Sequence, residues 1–184
     1  MKKTYKILLI GLFAVIVITM MFTMHNFSKE NSEISNQRSE GIVQLVQNTI
    51  QKPLEQTPKG QFISQKLQDL IVQHSPYGSD WNSNIRKIAH FSLYLILAMG
   101  LYLIFSMMNL KYLPRIGWTL LLCFIFAFFD EYTQLFQNRT ASFHDVILDF
   151  SGAFTGMSLA LFINMAKISI NYMFDSIKQY YQNT

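Results

Sequence analysis

Apolar residues gather into four long runs along the chain, separated by polar stretches. The first spans Ile7 to Met24 and follows the basic start MKKTYK. The second runs from about Ile88 to Met108, the third from Ile116 to about Phe136, and the fourth from near Asp145 to Met165. Each is roughly long enough to cross a bilayer as a helix of about 20 residues. The pattern predicts an all-α integral membrane protein with four transmembrane helices. From Ser28 to about Asn84 the chain turns polar, yet two patches keep helical periodicity. One is Ile42, Val43, Val46 and Ile50; the other is Ile63, Leu67, Leu70 and Ile71. Pro53 and Pro58 lie between them, and each disfavours helix in the residue before it. Two short helices with a broken linker are expected, lying on the bilayer or on the other helices; a small ligand-binding cap is the alternative.

These elements divide the chain into four parts: 1–27, a tip and first membrane helix; 28–84, an amphipathic loop; 85–166, a core of three membrane helices; and 167–184, a tail that either continues the helix or lies along the interface. The first run ends in Thr23-Met24-His25-Asn26-Phe27 without a small-x-small exit, so a retained anchor is expected. Composition supports the membrane reading: 51% of the 184 residues are hydrophobic and 14% charged. The net charge of +4 comes from scattered basic residues, not a dense stripe with stacking aromatics, so no nucleic-acid partner is expected. The lone Cys123 lies mid-run, where no internal disulfide can form and a packing role suffices. Lys2, Lys3, Lys6, Lys111, Arg115, Lys167 and Lys178 fall on one side of the alternating spans. Basic span flanks favour the cytoplasm, which puts both termini there and the 28–84 loop outside. Arg86, Lys87 and Arg139 then lie outside, against that rule.

The stretch DEYTQLFQNRTASFHDVILDFSGAFTG, from Asp130 to Gly156, begins deep in one apolar run and ends deep in the next. Asp130 lies roughly 9 Å below the end of its span at about 1.5 Å per residue. Ionisable groups at such depth are costly and mark candidate sites. Lys87, His90 and Tyr94 recur at i, i+3 and i+7 on the second span; Asp130 and Gln134, like Asp145 and Asp149, share a face at i, i+4. The start of span two, the end of span three and the start of span four all meet one face of the membrane. Lys87, His90, Tyr94, Asp130, Glu131, Gln134, Arg139, Asp145 and Asp149 are therefore the candidate functional cluster. Gly152 and Gly156 continue the Asp149 stripe as small-xxx-small, which lets another helix approach closely.

Lys87, His90-Phe91, Tyr94, Leu97, Asp130-Glu131, Gln134, Arg139, Ser142, Asp145, Asp149, Gly152 and Gly156 together resemble the VanZ-like family, named for a protein encoded with glycopeptide-antibiotic resistance genes. The resemblance covers Arg86 to Phe162, and Ser35-Asn36 to Ser39 is similar to a loop of many members. Family sequences often place Pro-Gly before the arginine, where this chain has Gln137-Asn138. The resemblance implies a bacterial multi-pass membrane protein and, for some members, lower susceptibility to teicoplanin-like lipoglycopeptides. It carries over no catalytic role.

The cluster admits several readings. Ion pairs among these groups can simply fix helix register. A functional pocket is favoured by how many ionisable groups converge. Asp145 and Asp149 suit a hard cation such as Mg²⁺, but the adjoining glycine-arginine signature of lipid-phosphate enzymes is missing. His90 and His144 lack zinc-type pairing. Arg139, His144 and Asp149 miss the register of a lipid phosphatase, and His144 reads as a polar turn residue. Ser142 and Ser151 lack a nucleophile elbow. No metal and no cofactor are assigned. The favoured reading is binding: Lys87 and Arg139 hold a phosphate or carboxylate at the outer face, with membrane lipids, a lipid-linked envelope precursor or a lipoglycopeptide as partners. The alternative is a membrane enzyme acting on a lipid phosphate through Asp130, Glu131, Asp145 and Asp149.

Overall fold

The computed structural model describes residues 3–30, 32–75, 77–134, 136 and 142–182. Four helices are long and apolar enough to cross a membrane. They are α1 (Lys3–Ser28), α5 (Trp81–Met107), α6 (Tyr112–Gln134) and α7 (Phe143–Gln182). Between α1 and α5 lie α2 (Ser32–Val46), a π-helical turn (Gln47–Gln51), the single turn α3 (Lys52–Leu54) and α4 (Pro58–His74). No strand occurs among the described residues.

Helix α5 is the centre of the bundle and touches α1, α2, α6 and α7. Its buried residues Tyr94, Leu97, Ala98, Leu101 and Tyr102 recur at three- and four-residue steps, the spacing that keeps side chains on one side of a helix. Small residues face it from α7: Gly152, Ala153, Gly156 and Ala160 are all buried. A Cβ at Gly152 would lie 2.3 Å from the Phe91 carbonyl oxygen, and one at Gly156 2.1 Å from that of Leu95. The two backbones therefore meet directly, as the small-xxx-small stripe predicts. Helix α6 presents a similar row, Thr119, Cys123 and Ala127, and Cys123 is fully buried. The opposite faces carry exposed Leu12, Phe128, Phe154 and Phe162. Such faces are stable where acyl chains, not water, surround them, because every helix bonds its own backbone.

The caps follow local chemistry. Asp80 accepts hydrogen bonds from the backbone N–H of Asn82 at 3.1 Å and of Ser83 at 3.3 Å, which starts α5. Asn109, at φ 61°, ends it. Leu110 N donates to Phe105 O at 3.2 Å, closing the helix in a Schellman-type turn. Lys6 Nζ donates to Asn109 Oδ1 at 2.9 Å, so the start of α1 and the α5–α6 turn share one face. Residues 28–84 occupy the other. There α2 lies on α5, with Arg86 donating to Asn36 at 3.3 Å and Asn82 to Glu40 at 3.4 Å. Pro58 opens α4 as predicted, with the Thr57 hydroxyl accepting from Gly60 N at 3.1 Å. Pro53 does not break the chain, because it sits within a helical path that runs from Ser32 to Leu54, and Lys52 before it stays helical.

Two boundaries differ from the sequence reading. Helix α6 begins at Tyr112, ahead of Pro114, because a first-turn residue needs no N–H partner. His144 belongs to the first turn of α7 and is not a turn residue. Of the two readings of the tail, continuation of the helix is the one found: α7 runs on past Met165 to Gln182, and no glycine or proline after Gly156 interrupts it. At 40 residues it is about 60 Å long, twice the hydrocarbon thickness.

Candidate functional site

The polar ends of α1, α5, α6 and α7 meet at one membrane face. Helix α5 brings Lys87, His90 and Tyr94; α6 brings Asp130, Glu131 and Gln134, all buried; α7 brings Asp145 and Asp149. The groups sort into two neighbouring clusters.

The inner cluster is centred on Asp130, which is 1% exposed. Its Oδ2 accepts a hydrogen bond of 2.6 Å from the Ser28 hydroxyl. Its Oδ1 has no hydrogen-bond partner, and His25 Nδ1 stands 3.9 Å from it. His90 Nδ1 lies 3.6 Å from Asp149 Oδ1. One donor atom from each of His90, Asp130 and Asp149 falls within 4.8 Å of the others. The Tyr94 hydroxyl is fully buried without a hydrogen-bond partner. Two carboxylates this deep are tolerated only beside donors or positive charge, and each has an imidazole next to it.

The outer cluster pairs Lys87 with Asp145 in an ion pair. The Tyr77 hydroxyl donates to Asp145 Oδ1 at 3.4 Å, and Lys87 Nζ sits 5.8 Å above the Tyr77 ring. Burial, and then the Asp145 charge, hold the Tyr77 hydroxyl above the usual phenol range, so it remains a donor. Glu131 plays a third part. Its Oε1 accepts from the Ser142 backbone N–H at 2.7 Å, which fixes the chain just before α7. Arg139 lies outside the described residues, as do the other residues of 137–141.

Sequence reasoning missed α1 as a contributor. His25 and Ser28 are three residues apart at the end of the first span, and the alternation of spans puts that end on the site's face. A polar pair there was the available signal, passed over because the segment reads as an anchor.

A family model described as VanZ/LLP1 matches residues 8–164. The chain belongs to the VanZ/LLP1 family. The match begins within α1 and ends within α7, so the family unit includes α1 and the α2–α4 segment as well as the Arg86–Phe162 stretch that carries the resemblance. His25 and Ser28 thus fall inside the VanZ/LLP1 unit. With four membrane-length helices, the chain is a multi-pass VanZ-like membrane protein of a family linked to glycopeptide resistance. No curated protein and no solved structure matches the chain.

Proposed function

We propose that this protein modulates the cell-envelope response to teicoplanin-type lipoglycopeptides by binding an amphiphile at the outer face of the membrane. The observation that supports this is a crevice of about 590 Å³ between α4, α5 and α7. Leu67, Ile71, Ile88, Phe91 and Leu148 form its apolar wall, and Lys87, Asp145, Tyr77 and His144 stand at its polar edge. Sites for small ligands combine this size with an apolar lining and a few polar groups. A lipid chain fits against the wall, and Lys87 is placed to exchange Asp145 for a headgroup phosphate or carboxylate. A lipid-linked envelope precursor or the lipoglycopeptide itself has this chemistry.

The test is expression in a teicoplanin-susceptible host. Leu148→Trp fills the crevice and is expected to bring the inhibitory concentration back to that of the empty vector. Phe162→Trp, on an exposed face, keeps protection. Undiminished protection from membrane-inserted Leu148→Trp would show that the crevice is not used.

The reading also requires both termini to be cytoplasmic. Cys123 is fully buried and is replaced by Ser as a precaution. In intact cells, an impermeant maleimide should then label Ser79→Cys and spare Lys111→Cys. The reverse pattern places the site inside and removes the antibiotic as a direct ligand. A second reading, a membrane enzyme acting on a lipid phosphate, is favoured by the approach of Asp130 and Asp149 to His90. Asp149→Asn should then abolish function outright, whereas a pure binder suffers more from loss of Lys87.

A further inference from the structure

We propose that His90, Asp130 and Asp149 form a binding site for one divalent transition-metal ion, held between α5, α6 and α7. The donor atoms come from three different helices, and they lie within 4.8 Å of one another. His90 Nδ1 and Asp149 Oδ1 are already 3.6 Å apart, close to the edge between two ligands on one ion with bonds of about 2.0–2.2 Å.

Two further observations point to a ligand. Asp130 is 99% buried, yet its Oδ1 has no hydrogen-bond partner. The Tyr94 hydroxyl is completely buried and also lacks one, in the range of the Asp130 and Asp149 charges. Buried polar atoms of this kind are rare and call for an explanation. Charge supplies the rest. Lys87 is occupied by Asp145, and among the described residues no lysine or arginine pairs with Asp130 or Asp149. A divalent ion matches the two carboxylates, and an imidazole in the set favours a first-row transition metal over Mg²⁺ or Ca²⁺. The Ser28 hydroxyl, bound to Asp130 Oδ2, orients that ligand as outer partners of metal sites do. His25 Nδ1 stands 3.9 Å from Asp130 Oδ1 and offers a further nitrogen.

This site differs from the Asp145–Asp149 pair that helical spacing suggests. Asp145 faces Lys87 and Tyr77, while Asp149 turns to His90. It is also independent of the crevice, so it is measured without lipid or antibiotic. The full chain, tag removed, is purified in detergent, stripped with chelator and titrated with Zn²⁺ and with Mn²⁺. Bound metal is read by elemental analysis and by thermal shift. About one equivalent per chain is expected, with affinity lowered at least about 100-fold by Asp130→Asn or Asp149→Asn and unchanged by Asp145→Asn. Helix content by circular dichroism confirms that the variants fold. No uptake of either metal by the wild type overturns the proposal, as does equal loss in Asp145→Asn. Should the asparagine variants aggregate, the wild type decides alone: Mn²⁺ bound here shows nitrogen hyperfine coupling in pulsed EPR, and its absence refutes the site.

Discussion

Gly156→Ala is expected to destabilise the bundle by about 3 kcal/mol, the upper part of the range for overpacking a tight interface. The added Cβ would lie 2.1 Å from Leu95 O and 2.8 Å from Leu95 C and Cα. These are backbone atoms, so no rotamer change relieves the clash, and α5 and α7 must separate by roughly 1 Å. In a bilayer the acyl chains are as apolar as the helix faces, so close packing supplies much of the association energy. Gly152→Ala acts in the same way against Phe91 O at 2.3 Å, and it does so one turn from Asp149 and His90. Gly11→Ala and Gly117→Ala are the controls, since nothing lies within 4 Å of a Cβ at either. They should be neutral or gain a few tenths of a kcal/mol, because Gly in a helix costs up to about 1 kcal/mol relative to Ala. Unfolding of the four variants in detergent, by heat or SDS titration, measures the difference. If Gly156→Ala and Gly117→Ala melt together, the helices are not in backbone contact.

Lys87→Met is expected to cost about 2 kcal/mol and to abolish protection against teicoplanin. Breaking a fully buried ion pair costs about 3–5 kcal/mol. The side chains of Lys87 and Asp145 each retain 16% of their exposure, so solvent screening lowers the figure. The informative variant is the double one, Lys87→Met/Asp145→Leu. An apolar pair of similar volume often replaces an ion pair without loss of stability, so this protein should melt near the wild type. It still offers no cation to a headgroup, and protection should remain absent. Recovery of protection together with stability would reduce Lys87 to a clamp that fixes helix register. Measurements between about pH 6 and 9 leave Tyr77 protonated, because its hydroxyl sits above the ordinary phenol range. The comparison is therefore free of that titration.

Hydropathy made the four spans legible, because a helix in lipid must be apolar for most of its length whatever it packs against. The glycine stripe was legible for a similar reason: Gly152 and Gly156 have no use at that spacing other than close approach. Helical spacing also placed Lys87, His90 and Tyr94 on one side of α5. What spacing cannot provide is the rotation of one helix against the next. Asp145 and Asp149 lie one turn apart, and the first faces Lys87 while the second faces His90, one turn further along α5. The same limit hid His25 and Ser28: an apolar run of 18 or so residues reveals that α1 spans, but not which of its sides meets α6. Glu131 looked like one more acid of the cluster. Its bond to Ser142 N depends on how the chain re-enters the membrane, and no periodicity records that. The tail was legible only as two alternatives, because the run of apolar residues fades near Lys167 while helix-forming residues continue.

The glycine contact also sets where the long arm of α7 begins. From Gly156 to Gln182, α7 extends about 39 Å beyond the crossing point, at about 1.5 Å per residue. Its short arm carries Asp145 and Asp149, and its long arm emerges on the far side of the bilayer. A change in tilt of about 5° at the crossing would displace the distal tip by about 3 Å. Any change in the tilt of α7 is therefore largest at its far end.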